Sequence, residues 1–269
     1  MLKRALGDTG IEVSPLGLGT VKFGRNTGVE YVHAYELPSD EHVASLLAEA
    51  QRQGINLLDT APSYGRSEAR IGEAIEGHRD EWVICTKAGE VFDGTASHYD
   101  FSEDAILGSV ARSLCRLRTD ALDIVLLHSD GRAVAEISAA GAFRALAKLE
   151  REGIVRAVGF SGKSAADAMD ALPMSDVLMC TIHPGYAGEI GIAGLAGEQG
   201  VGVLVKKPLA RGFEGDAETV AETVGLAGIS SVVVGTISPE HLAADADAVR
   251  RVCAPAQAAP WPRGRMFPR

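Results

Sequence analysis

The segment Ile55-Asn56-Leu57-Leu58-Asp59-Thr60-Ala61-Pro62-Ser63-Tyr64-Gly65 sets a carboxylate, Asp59, and a phenol, Tyr64, five residues apart at the end of an apolar run. An apolar run that stops at an acid and then meets Pro62 reads as a buried strand opening into a loop. In a parallel α/β sheet, loops at the carboxyl ends of strands are where ligands bind, so Asp59 and Tyr64 are expected to share one cleft. A tyrosine exchanges protons near neutrality only if something lowers its pKa from about 10. Two further runs supply candidates: residues 82–87 finish on Lys87 before Ala88-Gly89, and residues 122–128 finish on His128 before Ser129-Asp130-Gly131. An ammonium beside a phenol favours the phenolate, and a carboxylate beside the ammonium keeps it charged and in place. Each residue alone also fits a structural role: Asp59 a turn cap, Lys87 a solvated strand end, His128 a hydrogen-bonded core residue. The matching position of all of them at successive strand ends is what points to proton transfer.

The elements needed to hold that set are legible along the chain. Short apolar runs at 13–18, 55–60, 82–87, 122–128, 157–161, 177–182, 201–206 and 231–235 read as strands. Helical spacing lies between them, with Val43, Leu46, Leu47 and Ala50 on one face, then Ile106, Val110, Leu114 and Leu117, then Phe143, Leu146 and Leu149. Start signals agree at Ser39, Ser102, Ser164 and Ser238-Pro239. Eight strands, each followed by a helix, in 269 residues predict a closed (β/α)₈ barrel rather than an open doubly wound sheet. Residues 2–13, with Gly7-Asp8-Thr9-Gly10 at their centre, read as a β-hairpin ahead of the barrel, capping its bottom. No linker interrupts the pattern, so residues 1–269 are expected to form a single domain.

Three segments exceed the short loops of such a fold: 24–37 with Tyr31, His33 and Tyr35; 89–101 with Phe92, His98 and Tyr99; and 254–269 with Trp261 and Phe267 among several prolines. The first two leave strand carboxyl ends and are expected to wall a substrate pocket. The tail reads either as a flexible end or as a cover over the site.

A formal net charge of -10 argues against nucleic acid or an anionic membrane surface as the main partner, though not against a small anion in a local pocket. Nothing marks secretion or membrane insertion, and a cytoplasmic location is expected. Cys85, Cys115, Cys180 and Cys253 are widely spaced, and Cys85 and Cys180 lie within apolar runs, which suits buried thiols in a reducing compartment; no cysteine or histidine spacing suggests a metal site.

With these residues in place, the chain resembles the aldo-keto reductase family along nearly its whole length. The resemblance is carried by Arg4-Ala5-Leu6-Gly7, Leu16-Gly17-Leu18-Gly19-Thr20, the block from Asp59-Thr60-Ala61 to Tyr64-Gly65, Thr86-Lys87 and Leu127-His128. Gly159-Phe160-Ser161, Pro208-Leu209-Ala210-Arg211-Gly212, Gly235-Thr236 and Ser238-Pro239-Glu240-His241-Leu242 extend it. It implies a (β/α)₈ barrel, a nicotinamide cofactor bound extended across the carboxyl-end face, and Asp59, Tyr64, Lys87 and His128 as the catalytic tetrad. It also implies Thr20, Asp59, Ser161, Gly162, Met179, Lys206, Pro208, Leu209, Arg211, Gly235, Thr236, Ser238 and His241 as cofactor contacts. No Gly-x-Gly-x-x-Gly follows a strand, in keeping with a dinucleotide held without a Rossmann fold.

Some positions depart from the family pattern. Gly162 stands where an Asn is usual, Met179 where a Gln is usual, and Lys206 where a Tyr usually stacks on the nicotinamide. Gly235 and His241 replace the basic residues that typically clamp the 2′-phosphate. Ser238-Pro239 at a helix start offers free N–H groups to a phosphate, with Thr236 and Ser238 hydroxyls beside them. The expectation is NADP(H) ahead of NAD(H), the weak clamp favouring the latter.

The leading expectation is an NAD(P)(H)-dependent enzyme interconverting an aldehyde, ketone or sugar carbonyl and an alcohol, with Tyr64 as proton donor or acceptor. Its alternatives are an NAD-preferring sugar or alcohol dehydrogenase, or a nicotinamide-sensing regulatory subunit. The partner is a small molecule, and the chain is expected to be a monomer or a weak homo-oligomer.

Overall fold

Residues 1–29 and 31–254 are described by a computed structural model of the chain. The chain opens with β1 (Arg4–Ala5) and β2 (Glu12–Val13), paired antiparallel. Eight strands then close on themselves: β3 (Leu16–Gly19), β4 (Leu57–Asp59), β5 (Val83–Ala88), β8 (Leu122–His128), β9 (Val155–Ser161), β10 (Val177–Thr181), β11 (Gly202–Lys206) and β12 (Ser231–Val234), every neighbouring pair parallel. Between them run α1 (Asp40–Arg52), α2 (Ser67–Ala74), α3 (Glu103–Leu117), α4 (Val134–Ala139), α5 (Ala142–Arg151), α6 (Ala165–Ala171), α7 (Ile190–Glu198) and α8 (Ala217–Val224), with α9 (Pro239–Cys253) closing the series. This is a (β/α)₈ barrel.

The helices begin where the caps placed them. Ser39, Ser102, Ser164 and Ser238 each accept a hydrogen bond from the backbone N–H three residues on. Their buried faces, such as Val43, Leu46, Leu47 and Ala50 on α1, join the apolar shell between barrel and helices.

Strand side chains alternate, and the alternation sorts the barrel by height. Leu57, Val83, Cys85, Ile124, Leu126, Ala157, Val177, Met179, Leu204 and Val233 form a second core inside the barrel, and Leu6, Ile11 and Val13 of the opening hairpin join it. The hairpin thus plugs the amino-terminal end of the strands. Fully burying such a side chain contributes about 1.5–3 kcal/mol, so the interior stabilises the fold while the opposite rim is left for polar groups.

Two boundaries differ from the sequence reading. The run 13–18 divides at Ser14-Pro15 into hairpin strand β2 and barrel strand β3, because Pro15 has no N–H to give a ladder. Residues 89–101, read as a loop, hold a second antiparallel hairpin, β6 (Glu90–Phe92) with β7 (Ser97–Tyr99). The expected tail cover lies outside the described residues apart from Ala254. Among the described residues no helix is long and apolar enough to cross a membrane, and no group of acidic, Cys or His residues could hold a metal ion.

Candidate active site

Asp59 ends β4, Lys87 sits one residue before the end of β5, and His128 ends β8, on three adjacent barrel strands, each residue stepped two positions along the ladder from the one before. Period-two alternation turns these residues to the inside at the carboxyl-terminal rim, above Leu57, Cys85 and Leu126. After β4 the chain turns through Pro62–Tyr64, a single 3₁₀ turn that carries Tyr64 back over the rim. The Lys87 ammonium donates to Asp59 Oδ1 at 2.6 Å and to the Thr60 carbonyl at 2.9 Å, almost wholly out of solvent. It lies 4.9 Å from the Tyr64 ring centroid. The His128 and Tyr64 rings meet edge to face, with centroids 6.5 Å apart.

Protonation follows from these contacts. Burial acts to lower the Lys87 pKa, but the Asp59 carboxylate and Tyr64 more than offset it and the net shift is upward, so Lys87 is a fixed cation. For Tyr64 the sequence argument had Lys87 lowering the phenol. The Lys87 charge does act in that direction, but burial is larger and the phenol is pushed up to about 12. Tyr64 therefore rests protonated at neutral pH, with a cation beneath it to receive the charge when the proton leaves.

Glu90 was not anticipated. Gly89 turns the chain out of β5 at φ +101, where a Cβ would also meet Phe101 Cε1 at 2.6 Å, and so delivers Glu90 into the cleft. Glu90 Oε2 lies 2.6 Å from His128 Nδ1, an ion-pair contact outside hydrogen-bond geometry, both side chains largely buried. A bare Nδ1 lone pair that close to a carboxylate would be repelled, so Nδ1 carries the proton and neutral His128 presents Nε2 as an acceptor. Burial lowers the His128 pKa further than Glu90 raises it, while contact with His128 holds Glu90 well below the usual carboxylate range despite burial. The readable signal was an acid three residues beyond Lys87 at a strand exit.

The cleft around these groups has a volume of about 890 Å³. Its walls come from both long loops. Arg25 donates to the Thr27, Gly28 and Ser63 carbonyls and lies 3.7 Å from the Phe92 ring centroid, stapling the segment after β3 to the β6–β7 hairpin. Lys22 sits over the rings of Tyr31 and Tyr35.

All the expected site residues line this cleft except Ser238. Thr20, fully buried, donates to the Asp59 carbonyl and ties β3 to β4. Met179 is part of the floor at 2% exposure. Lys206 donates to Ser161 Oγ at 2.9 Å and to the Gly162 carbonyl at 2.6 Å. Gly162 is pressed so near Asp167 that a Cβ would lie 2.9 Å from Asp167 Cβ, which accounts for glycine where the family has Asn. Pro208, Leu209 and Arg211 follow in a turn with positive φ at Lys207, Ala210 and Arg211. Gly235, Thr236 and His241 line the α9 end, where Ala244 and Asp245 join them.

Ser238 does not line the cleft and is engaged within its own helix start. Its hydroxyl accepts from the His241 N–H at 3.1 Å and donates to Glu240 Oε2 at 2.7 Å, while Thr236 Oγ1 accepts from the Ser238 N–H at 3.0 Å. The helix start is capped by its own residues, with an acid in its first turn. Asp245, unnoticed in the sequence, lies one turn beyond His241, and burial pushes its carboxyl up to about 6. It is thus mostly charged at neutral pH.

The Aldo/keto reductase family model matches residues 15–225. The chain is 32% identical over 222 residues to the L-galactose dehydrogenase of Arabidopsis thaliana (78% of this chain, 66% of that protein). It is 31% identical over 232 residues to the NADH-specific methylglyoxal reductase of Escherichia coli (79% and 69%). It spans roughly half to two thirds of the length of the curated relatives it matches. A solved putative aldo-keto reductase from Pseudomonas aeruginosa superposes with a TM-score of 0.85 at 42% identity, covering 93% of this chain and 94% of that one. Matched in sequence along most of its length and in fold around the whole barrel, the chain belongs to the aldo/keto reductase family.

Proposed function

We propose that this protein is a nicotinamide-dependent oxidoreductase that interconverts a small aldehyde, ketone or sugar carbonyl and the corresponding alcohol. The observation that carries the reading is the Lys87 ammonium, held by Asp59 at 2.6 Å and seated 4.9 Å from the Tyr64 ring centroid. The residues fit a dinucleotide: in a protein of net charge -10, the cleft wall carries Lys206, Lys207 and Arg211. Ser161, Gly162 and Lys206 would hold the carboxamide end, the 207–212 turn the diphosphate, and His241 with Asp245 the adenosine. Bound there, the cofactor supplies or accepts the hydride.

The rest is this chain's own work. In reduction the Tyr64 phenol gives its proton to the developing alkoxide, and Lys87 stabilises the phenolate left behind; in oxidation the proton returns to Tyr64. His128 orients the reacting oxygen. The test is nicotinamide absorbance with a panel of aldehydes and alcohols, comparing the wild type with Tyr64→Phe. Turnover of aldehydes by Tyr64→Phe within a few-fold of wild type would overturn the reading.

Glu90 favours the alternative of a sugar or alcohol dehydrogenase. With the Nδ1 proton facing the Glu90 carboxylate, neutral His128 accepts a hydrogen bond from a hydroxyl at Nε2, whereas only its imidazolium donates from Nε2 to a carbonyl oxygen. The resting cleft is therefore better matched to an alcohol or hemiacetal, as the plant relative's name would suit. The cofactor preference moves with it. NADP(H) was expected first, but Asp245 and Asp216 line the α9 and α8 end of the cleft, and Ser238 is engaged with Glu240. Carboxylates there suit a ribose hydroxyl and repel a 2′-phosphate. We therefore propose NAD(H) as the preferred cofactor, tested by the ratio of NADH to NADPH dissociation constants.

A further inference from the structure

Lys206 is a primary amine on the wall of a cleft proposed to admit carbonyl compounds. Its Nζ contacts are the Ser161 hydroxyl oxygen at 2.9 Å and the Gly162 carbonyl at 2.6 Å, both neutral acceptors. Among the described residues no carboxylate lies within ion-pair distance of it. Two N–H bonds are thus satisfied by the protein. As a neutral amine Lys206 would still have its lone pair; as an ammonium it would have a third proton with no protein partner. The charged groups around it are Lys207 on its own strand end, Lys87 and Asp59 across the barrel, His128 on β8 and Glu189 ahead of α7. Burial, then Lys207, act to lower the ammonium's pKa to about 7, with Glu189 and Asp59 opposing. Desolvation and a neighbouring cation are the two devices that turn a lysine into a nucleophile.

We propose that Lys206 captures carbonyl compounds covalently, condensing with an aldehyde to form a reversible imine when no dinucleotide occupies the cleft. The Nζ lone pair forms the N–C bond as the carbonyl π pair moves to oxygen, which takes up a proton released from nitrogen. The resulting carbinolamine then gives up its remaining N–H proton to the departing hydroxyl, which leaves as water as the nitrogen pair forms the C=N bond, and water reverses both steps. No oxidant or reductant is consumed. The adduct blocks the Ser161–Gly162 corner, so aldehyde arriving before cofactor inhibits the enzyme.

The test is reductive trapping of the cofactor-free protein with glycolaldehyde and sodium cyanoborohydride, read by peptide mass mapping. The expected result is a reduced adduct at Lys206 at least about tenfold above that at the exposed Lys3 and Lys148, because an ordinary lysine near 10.4 is almost wholly protonated at pH 7. The Lys206 labelling rate should level off above a midpoint near pH 7 and be suppressed by saturating NADH or NADPH. Labelling at Lys206 no greater than at Lys3 or Lys148, or unchanged by cofactor, would overturn the proposal. Labelling needs no turnover, so its failure leaves the Tyr64 reading standing, and loss of that reading leaves labelling measurable.

Discussion

Lys87 and Lys206 are the same residue type at the carboxyl rim of one barrel, and their surroundings drive them in opposite directions. Lys87 is buried and Lys206 half-buried on the cleft wall, and desolvation disfavours the ammonium in each case. Lys87 has the Asp59 carboxylate at 2.6 Å and stays charged; Lys206 has only a hydroxyl and a carbonyl, with Lys207 beside it, and drops to about 7. One carboxylate decides whether a lysine at this rim is an electrostatic anchor or a nucleophile. The proton-transfer corner is closed and charge-paired, whereas the cofactor wall is where the chain departs from its family.

Tyr64→Phe should cost about 10²–10⁴-fold in kcat for aldehyde reduction, with cofactor dissociation constants unchanged, in steady-state and binding measurements. Asp59→Asn would give Lys87 the neutral surroundings of Lys206. Because it strands a buried cation, it should cost about 3–5 kcal/mol in denaturant unfolding and depress turnover in both directions. A variant that kept full stability would mean that Asp59 does not carry the Lys87 charge.

Glu90 sharpens the same contrast. In the wild type the His128 imidazolium, with its pKa below 6.5, should make kcat/KM for aldehydes rise as pH falls through that pKa. Glu90→Gln releases Nδ1, so Nε2–H becomes available without protonation. The rise should flatten, and KM for aldehydes at pH 7.5 should fall by about three- to tenfold. Asp245→Asn should act on a similar scale, tightening NADPH by about three- to tenfold relative to NADH by removing one negative charge from the adenosine end. Equal tightening of both cofactors would separate Asp245 from phosphate discrimination.

What was legible in the sequence follows from what periodicity encodes. Asp59, Lys87 and His128 each end an apolar run, so their height and inward direction could be read from the strand pattern, and Tyr64 from the Pro62 turn beside it. Serine caps marked four helix starts to the residue. Glu90 was missed because 89–101 looked like an irregular loop, when Gly89 in fact folds it into a hairpin aimed at His128. The Tyr64 shift was misjudged because a charge is visible in sequence while the depth of packing is not. Whether the Ser238 hydroxyl faces a ligand or Glu240 is a rotamer choice within one helical turn, which periodicity does not encode.

The Arg25 staple bears on how such a cleft changes during evolution or redesign. Its guanidinium satisfies carbonyls on the chain after β3 and beside Tyr64 while lying on Phe92 of the β6–β7 hairpin. The two specificity loops are thereby one inherited unit, and substitutions in them should show epistasis. Exchanging the hairpin alone takes the Phe92 ring from the guanidinium, and exchanging residues 24–37 alone takes the guanidinium from Phe92. Substrate range in this scaffold is best explored by exchanging both loops as a cassette.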